Sequence, residues 1–314
     1  MNVSVMITTR NYTHFLEDAL LSVQRQTLQP LQVVVVDDAS DDDPSHVLQT
    51  YEEGLPIRYL RTATNVGQLA ALTLGSRALE ACDVVALLDA DDMWEADHLE
   101  RSVAAFRARP SPDVVMSALR FIEEAPAPEN WQPLQGNQPF ETEESEGLMP
   151  PDWLRTVFLR WWFGRPTSCM LFRYDVKELL LENALNLKWR IRADDVVLFR
   201  AAAHRLLRQR LGAPASTIYR VHNANSHAFR EVSIHERLRR DLAVHHLLEP
   251  FRASWTLMTP YERVELFRTE IAQIFADHGS GEGSVICEWI IDAVALDHRD
   301  NSMFHAELAR LRPL

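Results

Sequence analysis

Thiol chemistry has little material in this chain. Among 314 residues there are three cysteines, Cys82, Cys169 and Cys287, odd in number, widely spaced and without a CxxC pair. Neither a disulfide framework nor a thiolate zinc site is built from such a set, and a reducing compartment is the expected setting. Positive charge is short as well: 32 Lys and Arg stand against 45 Asp and Glu, a formal net charge of -13. A nucleic-acid or anionic-membrane binder needs a positive face that this balance does not supply, so no nucleic-acid partner is expected. No uninterrupted apolar stretch approaches the ~20 residues that cross a bilayer, which limits expected membrane contact to the periphery. The opening MNVSVMITTR has neither the basic start nor the long apolar segment of a signal peptide. A cytoplasmic location, with association at the inner membrane face at most, is the expectation. Internal repeats and low-complexity tracts are absent too.

What is present is an alternation of short β-branched runs and amphipathic segments. Residues 3–7 precede 11–26, 33–36 precede 44–51, and 84–88 precede 95–107. That order predicts βαβ units on a largely parallel sheet flanked by helices, an α/β fold. The runs VVVV and VVALL lack polar alternation, as strands do when helices cover both faces, and are expected at the centre of the sheet. Each ends in carboxylates, DDAS and DADD, which delivers acidic groups to the carboxyl edge where open α/β folds place ligands. Residues 123–151 change to Pro, Glu, Asn, Gln and Gly and read as a long excursion, a lid or an acceptor-facing loop. Beyond it, 152–163 is aromatic and amphipathic, 168–172 is strand-like, 195–207 has helical spacing, and the remainder from about 232 is helical in pattern.

Asp89-Ala90-Asp91-Asp92 is the strongest local signal. Asp89 and Asp91 fall on one side if the strand continues, and the turn after Asp91 swings a carboxylate toward a diphosphate-bound Mg²⁺ or Mn²⁺. The other reading is helix capping by Asp91 or Asp92 before the segment that follows. Asp37-Asp38-Ala39-Ser40 and Asn65-Val66-Gly67-Gln68 fall at turns on the same rim. Carboxylates there accept from a nucleobase imide or a ribose hydroxyl, although Asp, Ser, Asn and Gly are also what turns require. Trp161, Trp162 and Phe163 offer an apolar floor for a sugar ring or a lipid-linked acceptor, or else core packing. The arginines at 205, 208 and 210, and at 237, 239 and 240, read as solvated helix faces.

Taken in order, Val5-Met6-Ile7-Thr8-Thr9-Arg10-Asn11, Val35-Val36-Asp37-Asp38-Ala39-Ser40, Asn65-Val66-Gly67-Gln68 and Leu88-Asp89-Ala90-Asp91-Asp92 resemble the family-2 glycosyltransferases of GT-A fold. The close match covers roughly the first 110 residues. The resemblance implies an inverting transferase of hexosyltransferase type. It takes a nucleoside-diphosphate sugar donor, UDP-linked being the commonest, and a divalent metal, Mn²⁺ or Mg²⁺. Thr8, Thr9, Arg10, Asn11, Asp38, Asn65, Gly67, Gln68, Asp89 and Ala90 would surround the nucleotide and donor, with Asp91 at the metal. Two positions depart from the family: Arg10 stands where an aromatic or small residue is common, and Thr73 where Asn is common.

The second half matches more loosely, through Gly164-Arg165-Pro166-Thr167-Ser168, Arg192-Ala193-Asp194-Asp195 and Tyr219-Arg220-Val221-His222. In the family a Glu-Asp pair ahead of a helix supplies the general base. The resemblance therefore assigns the base to Asp195 with Asp194 in support, helix capping being the structural alternative. It sets Trp162, Thr167 and Ser168 on the acceptor side and His222 at the diphosphate or metal, with Arg220 as another phosphate contact and His227 a weaker candidate. The acceptor is a glycan, a lipid-linked glycan or a small molecule. The expected organisation is a GT-A domain at 1–230, with a nucleotide-binding half at 1–110 and an acceptor-binding half at 111–230. A helical C-terminal extension follows at 231–314, open to self-association as a homo-oligomer. The competing functions are a sugar nucleotidyltransferase, which would show a Gly-rich N-terminal loop, and a transferase-like binding protein without turnover.

Overall fold

A computed structural model describes residues 1–124, 147–148, 165–182, 193–203, 206–222 and 225. The chain divides into two compact units, Met1–Pro151 with Phe163–Arg230 and Asp152–Trp162 with Glu231–Leu314, and every described residue belongs to the first. The expectations for the 125–146 excursion, the segment at 152–163 and the extension at 231–314 lie outside the described residues.

Four parallel strands form one half of an eight-stranded sheet: β1 (Val3–Thr9), β2 (Gln32–Asp37), β3 (Ile57–Arg61) and β4 (Val84–Asp89). Every residue of β1 and β2 is buried, because α1 (Thr13–Gln24) and α3 (Gln68–Ala78) leave neither face wet. Between them in the chain lies α2 (Ser45–Tyr51), and α4 (His98–Phe106) follows β4 after the short β5 (Met93–Trp94). The sheet runs on through β6 (Val114–Met116), β8 (Gly147–Leu148), β9 (Met170–Arg173) and β10 (Arg208–Arg210). The complete order is β3-β2-β1-β4-β9-β6-β10-β8, with β9 antiparallel to both neighbours. A second, three-stranded sheet sets β11 (Thr217–Val221) between β5 and β7 (Leu119–Glu123). Two further helices, α5 (Lys177–Leu181) and α6 (Ala193–Ala203), lie on either side of an undescribed stretch.

Strand order decides where the site lies. The chain steps outward from β1 to β2 to β3, then returns to lay β4 on the opposite side of β1, so β1 and β4 flank the switch point of the sheet. Open parallel sheets bind ligands at the carboxyl ends of such a pair. Here those ends are Thr8 and Asp89, directly opposite in register.

Three details depart from the sequence expectation. The edge strand β3 is missing from it, because its Arg58 and Arg61 face solvent and break up the apolar run that marks a central strand. The fourth helix begins at His98, behind Asp97, so neither Asp91 nor Asp92 caps it. Arg208 and Arg210 are not on a solvated helix face: the helix ends at Ala203, and both residues are buried in β10 between β6 and β8. Positions two apart in a strand point the same way. Burial, and for Arg210 also the charges of Arg165 and Arg208, lowers both guanidinium pKa values to about 10. Among the described residues no helix is long and apolar enough to cross a membrane.

Close packing of α3 on the sheet depends on Gly75. A Cβ there would meet Val36 Cγ2 at 2.9 Å and Met6 Sδ at 3.3 Å, closer than side chains pack. Gly75→Val is therefore expected to cost about 1–3 kcal/mol through overpacking. A urea midpoint equal to that of the parent would show that the helix can retreat at no cost.

Candidate active site

The last residue of β4, Asp89, begins a tight turn in which the Ala90 amide donates to Thr8 O at 3.1 Å and the Asp92 amide to Asp89 O at 3.0 Å. Three carboxylates leave this turn with oxygens within 4.8 Å of one another, those of Asp89, Asp91 and Asp92. Their partners differ. Asp92 is buried and fully engaged: Ser168 Oγ donates to one oxygen at 2.5 Å and the Arg220 amide to the other at 3.0 Å. Asp89 accepts from Gln68 Nε2 at 2.6 Å. Asp91 Oδ2 lies 3.1 Å from His222 Nε2 and 3.3 Å from Asn225 Nδ2.

Burial leads the electrostatics, and like charge adds to it. Burial, then Asp91, then Asp194 push the Asp89 carboxyl well above the ordinary range, against hydrogen bonds from Gln68 and Thr167. Burial, then Asp91 and Asp89 do the same to Asp92. The effect of Asp194 on Asp89 brings the first turn of α6 to the acidic cluster. Of Asp195 only the backbone is described.

Such a cluster suits a hard divalent cation. Asp92 has both oxygens committed to hydrogen bonds, so Asp89 and Asp91 carry the available oxygen ligands. His222 Nε2 also sits 3.1 Å from Asn225 Nδ2, an amide donor. Where that donor leaves the imidazole nitrogen as an acceptor, it and Asp91 Oδ2 are two acceptors in contact, the arrangement a proton or a cation between them satisfies.

The three turns expected at the nucleotide side do share this rim, but several of their side chains build it rather than face outward. Asp38 is buried, and its oxygens accept from the amides of Val66 at 2.6 Å and Gly67 at 2.7 Å and from Thr62 Oγ1 at 3.1 Å. Its carboxylate thus shapes the 65–68 loop from behind. Asn65 Oδ1 accepts from the same Gly67 amide at 3.1 Å. Gly67 itself has φ 89° and ψ 153°, a conformation that side chains with a Cβ avoid. From there Gln68 reaches back to Asp89 and Thr167. Asn11, at φ 58°, exchanges side-chain bonds with Asp41, its Oδ1 accepting from the Asp41 amide at 2.7 Å and its Nδ2 donating to Asp41 Oδ2 at 3.3 Å. Thr8 and Thr9 are buried at the end of β1, and Thr9 Oγ1 has no hydrogen-bond partner among the described residues. Ala90 is buried and Arg10 is exposed.

Thr167 and Ser168, expected on the acceptor side, lie beside the acidic turn. Both are buried. Ser168 Oγ accepts from the Asp89 amide at 3.0 Å while donating to Asp92, and Trp94 Nε1 donates to Ser168 O at 2.8 Å. The 167–169 turn is buried and is bonded to the acidic turn through Ser168. Trp162 and His227 lie outside the described residues. Sequence reasoning missed Asn225, which bonds Asp91, His222 and Arg220 O together, and the aromatic bed under His222. Phe15 lies 4.6 Å and Tyr12 5.4 Å from its ring. Helical spacing in 13–24 marks Phe15 as buried but gives no hint that His222, just past β11 and about two hundred positions on, will rest against it.

Residues 4–180 match the family described as Glycosyl transferase family 2, more than half of the chain. The chain belongs to this family. The glycosyltransferase is 32% identical over 238 residues to the uncharacterized glycosyltransferase alr2836 of Nostoc sp., covering 72% of this chain and 67% of that protein. It is 34% identical over 101 residues to the uncharacterized glycosyltransferase YwdF of Bacillus subtilis, over 32% of this chain but only 37% of that protein. In fold it resembles S. aureus TarS 1-349 in complex with UDP-GlcNAc, with a TM-score of 0.56 at 15% identity, covering 99% of this chain and 79% of that one. The enzyme has the GT-A architecture: a mostly parallel central sheet, flanking helices and an acidic turn at the carboxyl end of β4.

The crowded carboxylates set a pH dependence. Between the ordinary carboxylate pKa and the raised values of Asp89 and Asp92, the folded chain holds protons that the unfolded chain has already released. Their contribution to stability is present in acid and is lost as pH rises through that window. Thermal unfolding without divalent cations is expected to show this fall, and Asp89→Asn to flatten it. An unchanged slope in the variant would mean that Asp89 ionises as freely in the folded chain as in the unfolded one.

Proposed function

We propose that this glycosyltransferase moves a sugar from a nucleoside-diphosphate sugar, of the UDP type, to an acceptor hydroxyl by a single displacement with inversion, assisted by a divalent cation. The observation that carries the reading is the juxtaposition of Asp89, Asp91 and His222 at the switch point of the sheet, with the charge of Asp194 acting on Asp89. The fold likeness to TarS, whose structure holds UDP-GlcNAc, supports the choice of donor class.

Asp91 and His222 would hold the cation, with Asp89 beside them. A bound Mn²⁺ or Mg²⁺ neutralises charge on the departing diphosphate, which a site this acidic otherwise repels. Asp89 is kept in place by Gln68 Nε2 and by its own amide on Ser168, so its carboxylate keeps a fixed direction at the edge of β4. The 65–68 loop, braced by Asp38, sets the height of the rim on which the nucleotide rests. Inversion needs one carboxylate within hydrogen-bond reach of the acceptor hydroxyl on the face opposite the diphosphate. We assign that proton to Asp195, with Asp194 orienting the acceptor.

Two variants test the reading. Asp91→Ala is expected to abolish the gain in UDP affinity that Mn²⁺ confers, measured by calorimetry with and without the ion; equal binding by parent and variant in both conditions would exclude Asp91 as a ligand. Asp195→Asn is expected to leave donor binding intact and to lower transfer roughly 10²–10⁴-fold. Release of UDP from a panel of UDP-sugars, with glycan, lipid-linked and small-molecule acceptors, is the assay. Should Asp194→Asn be inactive while Asp195→Asn transfers at the parental rate, the two roles are exchanged; if both transfer, the base lies elsewhere.

A further inference from the structure

We propose that Arg220 is a positioning residue, a strut that sets Asp91 and His222 for the cation, and not a ligand of the donor phosphates. The proposal rests on the cation role assigned above to Asp91 and His222. A guanidinium presents five N–H donors in a rigid planar fork. Arg220 directs its fork to three separate parts of the chain: Nε donates to Asp91 O at 3.1 Å, Nη1 to Glu124 Oε2 at 3.2 Å, just past β7, and Nη2 to Asp18 Oδ2 at 2.6 Å on α1. The guanidinium lies 4.8 Å from the centroid of Phe15, on the same helix as Asp18. Its side chain is only 8% exposed, although both carboxylate partners are nearly half exposed.

The main chain of the same residue completes the connection. The Arg220 amide donates to Asp92, and its carbonyl accepts from Asn225 Nδ2 at 3.1 Å, the amide that also touches Asp91 Oδ2 and His222 Nε2. Residues 220 and 222 share one side of the strand direction, and Phe15 lies against both, 4.8 Å from the guanidinium and 4.6 Å from the imidazole. One residue therefore fixes the carbonyl of Asp91, the carboxylate of Asp92 and the bed under His222. With two carboxylates already on it, the guanidinium's charge is more than balanced, and the three groups together offer no net positive charge to a diphosphate. A lysine keeps the charge but not the fork, and cannot reach three diverging acceptors at once.

Two variants separate a strut from a phosphate contact. Arg220→Lys removes the fork; the double variant Asp18→Asn, Glu124→Gln keeps Arg220 and its charge but weakens its tethers. Mn²⁺ affinity in the presence of UDP, followed by the electron paramagnetic resonance of free Mn²⁺, is expected to fall about 10–100-fold in Arg220→Lys and in the same direction in the double variant. Metal-free UDP affinity should be unchanged in both, and amide exchange in 90–93 and 219–222 should be faster. The proposal is overturned if Arg220→Lys loses metal-free UDP affinity while the double variant binds UDP as tightly as the parent or more so, for Arg220 is then a phosphate ligand. A parent that binds no Mn²⁺ with UDP would instead remove the cation role, and the exchange rates alone would decide: unchanged rates in both variants end the strut as well.

Discussion

A buried carboxylate with no charged partner of its own fastens this site together. Asp92 takes one hydrogen bond from Ser168 Oγ and one from the Arg220 amide, and through them joins the end of β4, the 167–169 turn and β11, segments 76 and 128 positions away from it in the chain. Burying a carboxylate is costly unless its oxygens are satisfied. Here both are, yet the neighbouring Asp91 and Asp89 still push its pKa upward. Everything outward of this junction inherits its position: Asp89 through the shared Ser168 hydroxyl, His222 and Asn225 through the strand that Asp92 anchors.

Carboxylates of one residue type thus fall into two groups according to the donors around them. Asp37 accepts from the Ser40 amide, Tyr59 and Arg61; Asp38 accepts from two loop amides; Asp92 accepts from a hydroxyl and an amide. Each is nearly inaccessible and each joins distant segments. Asp91 instead meets a histidine and an amide nitrogen at longer range, and Asp89 meets Gln68 and Thr167 but also the charges of Asp91 and Asp194. A carboxylate supplied with amide and hydroxyl donors on both oxygens serves as a brace. One left with like charges has unspent affinity for a cation.

That distinction marks the limit of what the sequence discloses. The parallel core was legible because β1, β2 and β4 are apolar runs ending in turn residues, and the strand ends gave the edge where the site lies. The pairs Asp37-Asp38 and Asp91-Asp92 were legible as acidic but not as brace against ligand, since the deciding donors come from residues far away: Val66 and Gly67 for Asp38, Ser168 and Arg220 for Asp92. The brace at Ser168 is hidden for the same reason, its neighbours in sequence saying nothing of the two aspartates that claim its hydroxyl. Arg208 and Arg210 misled because three residues are too few to show a strand period, and alternate arginines are the last residues expected inside a sheet.

The unspent charge has a consequence for folding as well as for chemistry. Raised carboxyl pKa values mean that burial and then mutual repulsion weigh against the ionised native state, so above the ordinary carboxylate range the acidic turn lowers the stability of the fold that displays it. A group that relieves the repulsion binds the native state alone, because the unfolded chain does not bring Asp89, Asp91 and Asp194 together, and it stabilises that state in proportion to its occupancy. The braces built by Asp38, Asp92 and Arg220 keep the turn from relaxing outward in the meantime. Splaying Asp91 toward solvent would ease the repulsion, but it would break the Arg220 bond to its carbonyl and draw its carboxylate away from Asn225 and His222. These bonds keep the acidic cluster in an arrangement that suits a cation.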